Sequence, residues 1–134
     1  MKGNLSDFLL ISSNYLIYDI NLNIHSQLIS LNCPFTTIAV LDLSNNSLLN
    51  RFSCHNTQLT TLDVSNNPLL DKLNCINNDL FSLNVQNGAN TLLSGTYTNG
   101  GPIIPRFLAD NNPNLSCIFV DDASYSTSNW TQIV

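Results

Sequence analysis

The 134-residue sequence contains no glutamate and only four lysines and arginines, against nine acidic residues. Binding to a phosphate backbone needs a clustered basic face. A chain with a formal net charge of −5 is therefore not expected to take nucleic acid as a partner. Long apolar runs are also missing. No stretch approaches the roughly 18 residues that a membrane-crossing helix requires, so no membrane insertion is expected. Asp7, Ser12, Ser13 and Asn14 break up the apolar patch near the start, and no small-residue cleavage site follows. The opening therefore reads as folded chain and not as a signal peptide. Neither HxxxH nor CxxC spacing occurs, so the histidines and cysteines form no zinc motif, and no metal or cofactor is expected.

The length and the 43% apolar content suit one domain with a core of its own. With only 10% charged residues, solubility must come from neutral polar groups. Roughly one residue in six is asparagine, far above ordinary usage. Such an excess needs a structural cause.

That cause is a repeat. LDLSNNSLL begins at Leu41 and LDVSNNPLL begins at Leu62, which sets a period of twenty-one. The same step aligns Leu10–Ser12, Leu31–Cys33, Phe52–Cys54 and Leu73–Cys75, and also Ile20–Leu22, Leu41–Leu43, Leu62–Val64 and Leu83–Val85. Ile17, Ile38, Leu59 and Leu80 mark a third row. Alternation within each triplet is a strand signal, because neighbouring side chains of an extended segment point to opposite faces. Each coil has two such strands, and the chain between them carries Asn-Asn and Asn-Pro in place of any helical pattern. The expectation is a solenoid of stacked 21-residue coils with short parallel strands and little or no helix. The walls are either two short sheets or one sheet facing extended chain. Asn46, Asn67 and Asn78 follow the strands where the chain must turn, so stacking should set their amides in rows that satisfy peptide groups.

The pattern LxxLxCxxNxL alternating with LxxLDVSxNxxL resembles the short, nested leucine-rich repeats common in surface proteins of the Bacteroidetes. The class is formally α/β but here mainly β. The resemblance covers residues 10 to about 88. Residues 111–130, NNPNLSCIFVDDASYSTSNW, are similar to the closing segment after such repeats in large secreted flavobacterial proteins. The resemblance implies an extracellular or cell-surface setting and protein–protein contacts. Such segments usually lead on to further domains and a sorting domain, so it also implies a piece or a reduced relative of a longer protein. The chain thus divides, within a single domain 1–134, into an N-terminal edge (1–9), four regular coils (10–88), an irregular coil and loop (89–110) and a capping segment (111–134). Gly-Gly and two prolines place an exposed loop near Asn99 to Pro105.

Cys33, Cys54 and Cys75 take the inward third position of their triplets, and Cys117 lies two periods beyond Cys75. All four are expected in one buried ladder, with Leu115–Cys117 re-entering the same strand row. Cys54 and His55 are neighbours on a strand, so the imidazole should not reach the thiol. Asp121 and Asp122 are expected to start a capping turn or helix and not to hold calcium, with Tyr125 and Trp130 covering the last coil. The outward rows beside the Leu-x-Cys strands are Ser30, Arg51, Lys72; Asn32, Ser53, Asn74; and Pro34, His55, Ile76. The opposite rows carry Asp42 and Asp63. With no convergent acid, base and nucleophile, no catalytic residue is named. The expected function is a non-catalytic recognition or scaffold module for a protein partner, and the contact residues are Arg51, Lys72, His55, Asn32, Ser53 and Asn74. The alternatives are a spacer within a larger adhesin, or weak carbohydrate binding through Tyr97, Tyr125 or Trp130. Enzymatic activity would need a cleft formed by the irregular loop.

Overall fold

The computed structural model describes residues 8–11, 17–98 and 100–130. Residues 1–7, Ser12 of the first triplet, Asn99 of the loop and residues 131–134 of the capping segment lie outside the described residues. Among the described residues ten strands and one helix follow in chain order: β1 (Phe8–Leu10), β2 (Ser30–Asn32), β3 (Arg51–Ser53), β4 (Thr61–Asp63), β5 (Lys72–Asn74), β6 (Ser82–Asn84), β7 (Thr96–Tyr97), β8 (Ile104–Pro105), β9 (Phe107–Leu108), β10 (Cys117–Phe119) and α1 (Ala123–Asn129). One wall of the solenoid is a parallel sheet in the order β1-β2-β3-β5-β9, and the other is a parallel sheet in the order β10-β6-β4. The second wall continues through residues 20–22 and 41–43 without strand pairing. It is part sheet and part extended chain.

The period places equivalent side chains one above another. Leu31, Phe52 and Leu73 stack inward from the first wall, followed by Cys33, Cys54 and Cys75, and all six are at most 2% exposed. Leu43, Leu62, Val64, Leu83 and Val85 meet them from the second wall, and Leu28, Leu49 and Leu70 fill one corner. Each such side chain contributes about 1.5–3 kcal/mol by burial. No coil can hide this surface alone, so stability resides in the stacking.

Asparagine closes the corners. At one corner the amide of Asn67 donates to the carbonyls of Leu43 (3.1 Å) and Asn46 (2.9 Å), and Asn46 does the same to Leu22 and His25 one coil earlier. At the other corner Asn78 donates to the carbonyls of Cys54 and Cys75, while its Oδ1 accepts from the Leu59 N–H (3.2 Å) and the Thr57 hydroxyl. The rows expected from Asn46, Asn67 and Asn78 are present, and they connect one coil to the next.

Two details of the expected register are corrected. In the first coil Leu9, not Leu10, pairs with Leu31. The step from Leu9 to Leu31 is one residue longer than the step from Leu31 to Phe52. A one-residue slip exchanges the faces of a strand, so Leu9 packs against the core and Leu10 is 66% exposed. Cys117 also leaves the ladder. The place beyond β5 is taken by β9, with Phe107 beside Leu73 and Ala109 buried where a cysteine would recur. Cys117 instead opens β10, pairs with Ser82 on the opposite wall and is exposed. The step from Leu73 to Phe107 exceeds a regular period by more than half, so the irregular coil consumes the interval that made Leu115–Cys117 look like a return to the cysteine row. Asn112 re-establishes the corner after this detour, donating to the carbonyls of Cys75 and Ala109 and accepting from the Leu80 N–H.

The end of the stack is capped as expected. Asp122 is the N-cap of α1, its carboxylate accepting from the Tyr125 N–H at 2.9 Å. Beyond the helix Trp130 lies edge-on to Phe107, with ring centroids 4.9 Å apart, and its indole N–H and the Tyr125 hydroxyl both reach Ser94 Oγ. No described helix is long and apolar enough to cross a membrane.

Candidate functional site

Parallel pairing in register lines up the outward residues of β2, β3 and β5. Ser30, Arg51 and Lys72 form one row, and Asn32, Ser53 and Asn74 form the next. The irregular coil supplies what a regular coil would not. β7 and β8 form an antiparallel hairpin, and Tyr97, Ile104, Pro105 and Arg106 flank these rows to enclose a groove of about 390 Å³. Arg51, Lys72, His55, Asn32, Ser53 and Asn74 all line it.

Tyr97 contacts the site directly, since the Lys72 ammonium sits 4.0 Å from its ring centroid, a cation–π contact. Arg106 anchors the hairpin instead of facing a ligand alone, through an ion pair of 2.8 Å with Asp71. Gly95 begins the hairpin at φ 78, a left-handed conformation that glycine adopts without a Cβ clash. Sequence reasoning located the irregular segment but missed Tyr97, Ile104, Pro105 and Arg106 as parts of this site. The broken period and the Gly-Gly marked where an insertion lay. They carried no signal of the face onto which it folds.

His55 is half-buried, and burial holds its imidazole below the ordinary histidine range. Its Nδ1 lies 2.9 Å from Ser53 Oγ, and Phe35 packs edge-on at 5.3 Å. Phe35 has φ 56 where the equivalent residues Asn56 and Asn77 adopt nearly the same angle, so a bulky residue occupies a conformation usually left to glycine or asparagine. Cys54 and His55 lie just past the end of β3 and not on it, and their side chains part as expected, Cys54 into the core and His55 into the groove lining. The Ser53–His55 pair was not anticipated; Ser53 ends β3 and His55 sits in the turn that follows. Asn74 is partly committed, its Oδ1 accepting from the Ile76 N–H at 3.2 Å.

The opposite wall uses its acidic row for turns. Asp42 and Asp63 accept from the N–H groups of Ser44 (2.9 Å) and Ser65 (2.8 Å), and Asn84 accepts from Gln86 in the same way. The Ser44 hydrogen bonds hold the Asp42 carboxyl below the usual carboxylate range. For Asp63 partial burial works upward, but the bonds from Ser65 and Asn84 bring the carboxyl down. These carboxylates shape the backbone.

Burial pushes the thiols of Cys33 and Cys75 up to about 12 and raises that of Cys54 as well. Among the described residues no group of three or more His, Cys or Asp side chains is placed to hold a metal ion. Trp130 is 7% exposed and Tyr125 is tied to Ser94, so of the three aromatics considered for sugar stacking Tyr97 is the one that lines a groove. No protein-family model, curated protein or solved structure matches this chain.

Proposed function

We propose that the chain is a non-catalytic recognition module of leucine-rich-repeat type that holds a protein partner in the groove over the five-stranded sheet. One observation carries the reading: the irregular hairpin flanks the same rows that contain Arg51, Lys72, Ser53 and His55, so that they line a groove and not a flat solenoid face. Concave sites with an apolar wall and a few convergent polar groups are where ligands bind. The repeat motifs support the family assignment and, through it, a bacterial surface or secreted setting. Burial of Trp130 weighs against carbohydrate stacking, and the groove beside the hairpin weighs against a mere spacer.

The test is a binding screen of the folded chain against surface proteins and a glycan panel, with an Arg51→Glu/Lys72→Glu variant alongside. A protein partner lost in the variant is expected. A partner bound equally by both proteins, or no saturable partner at all, would overturn the assignment. A second reading, ester hydrolysis, is favoured by the Ser53–His55 contact alone. No carboxylate among the described residues hydrogen-bonds His55 to orient it. Turnover of p-nitrophenyl acetate that disappeared in Ser53→Ala would support this second reading.

A further inference from the structure

We infer that the groove takes an extended acidic segment of the partner, its carboxylates held between Arg51 and Lys72. This inference rests on the recognition reading above and names the chemistry of its ligand.

Charge is segregated in an unusual way. The chain has nine acidic residues and four Lys and Arg, yet Arg51, Lys72 and Arg106 all line this one groove and no aspartate does. Arg106 is neutralised by Asp71, and this is the one ion pair between side chains among the described residues. Arg51 and Lys72 are left facing the groove without a carboxylate. They are also direct neighbours across β3 and β5, on strands about 4.8 Å apart. Like charges opposite each other in a sheet destabilise it. Lys72 lies against the Tyr97 ring, which attracts the ammonium without cancelling its charge. An incoming carboxylate relieves the repulsion and gains two cations at once.

The rest of the lining suits a peptide. With its Oδ1 engaged by Ile76, Asn74 presents its amide N–H groups as donors. Ser53 and Asn32 continue the polar row, while Ile104, Pro105 and Leu108 form an apolar wall for neighbouring side chains. A volume of about 390 Å³ lies toward the small end of the usual pocket range, so it admits a few side chains of a strand and not a folded domain.

The experiment is calorimetric titration of the full chain with N-acetyl hexa-aspartate amide, with the hexa-asparagine analogue as control. A net charge of −5 repels the acidic peptide overall, so saturable binding reports a local site. Binding should be confined to the aspartate peptide, weaken with ionic strength and fall by about two- to thirtyfold in Arg51→Gln/Lys72→Gln. Arg51→Gln alone leaves the Lys72–Tyr97 contact in place and serves as the variant least disturbing to the fold; it should show part of the loss. Absence of hexa-aspartate binding, equal binding of hexa-asparagine, or unchanged affinity in the double variant would each overturn the inference. If the acidic peptide fails while the Arg51→Glu/Lys72→Glu variant still loses a protein from the surface screen, recognition stands with a different ligand chemistry. Failure of both removes both readings.

Discussion

Asn78→Ala should destabilise the protein by about 2 kcal/mol more than Asn67→Ala, the cost of stranding one buried donor, although both remove a buried corner amide of the same size. Asn67 donates to the carbonyls of Leu43 and Asn46. Those carbonyls keep other donors, the N–H groups of Asn46 and Leu49. The Oδ1 of Asn67 is buried without a partner, so its removal offsets part of the loss. Two net hydrogen bonds at about 1 kcal/mol each, less that relief, give about 1–2 kcal/mol. Asn78 also donates to carbonyls with second donors, Thr57 for Cys54 and Asn112 for Cys75. Its Oδ1, however, accepts from the Leu59 N–H. Alanine would leave that donor buried and unpaired at about 1–3 kcal/mol, for a total of about 3–5 kcal/mol. The cavity terms are alike and cancel in the comparison. Urea unfolding at equal m-values reads both, and against a typical domain stability of about 5–15 kcal/mol the difference is large. A cost for Asn67→Ala equal to or above that for Asn78→Ala would refute the account of the two corners.

Ellman's reagent should label one thiol rapidly in the folded protein, Cys117, and the other three only on unfolding, since Cys33, Cys54 and Cys75 are buried; a Cys117→Ser variant that still reacts fast would contradict this. Stability should decline as pH rises from about 8.5, where an unfolded thiol ionises, toward the value of about 12 reached by Cys33 and Cys75. The sign follows because the folded state holds these protons longer than the unfolded one, and an alkaline urea series showing no decline would contradict it. Trp130→Ala should cost about 3 kcal/mol through lost packing on Phe107; the single tryptophan should emit at a blue-shifted wavelength in the native state, and water-like emission would place it outside the core.

Much of the architecture was legible because the repeat is a direct consequence of stacking. Identical inward positions must recur wherever identical coils sit on one another, so Leu31, Phe52, Leu73 and the cysteines beneath them announced both the strands and their parallel register. The first coil escaped this logic by one residue. Leu9, Leu10 and Ile11 are all apolar, and local pattern cannot choose between two frames that each offer a leucine. Leu115–Cys117 misled for a related reason, since a matching triplet has no record of how much of the intervening chain has been spent elsewhere.

The six groove residues were placed on one face by the period alone, and their in-register rows are as the spacing required. The groove itself was not legible. Tyr97 and Arg106 reach it through a hairpin whose sequence violates the repeat, and their positions depend on contacts with Lys72 and Asp71 that are distant along the chain. The Ser53–His55 contact was not legible from strand alternation, because β3 ends at Ser53 and the turn that follows it brings His55 back to the serine hydroxyl.

By itself the sequence determined the solenoid, its inward and outward rows and the asparagine corners, because a fixed short period leaves one way to bury the recurring inward side chains of successive coils at once. Tertiary structure alone decided where the irregular coil lies, which cysteine is left outside and which face becomes concave. Those outcomes are set by the competition between non-repeating side chains for the exposed end and face of the stack, and no periodic rule governs that competition.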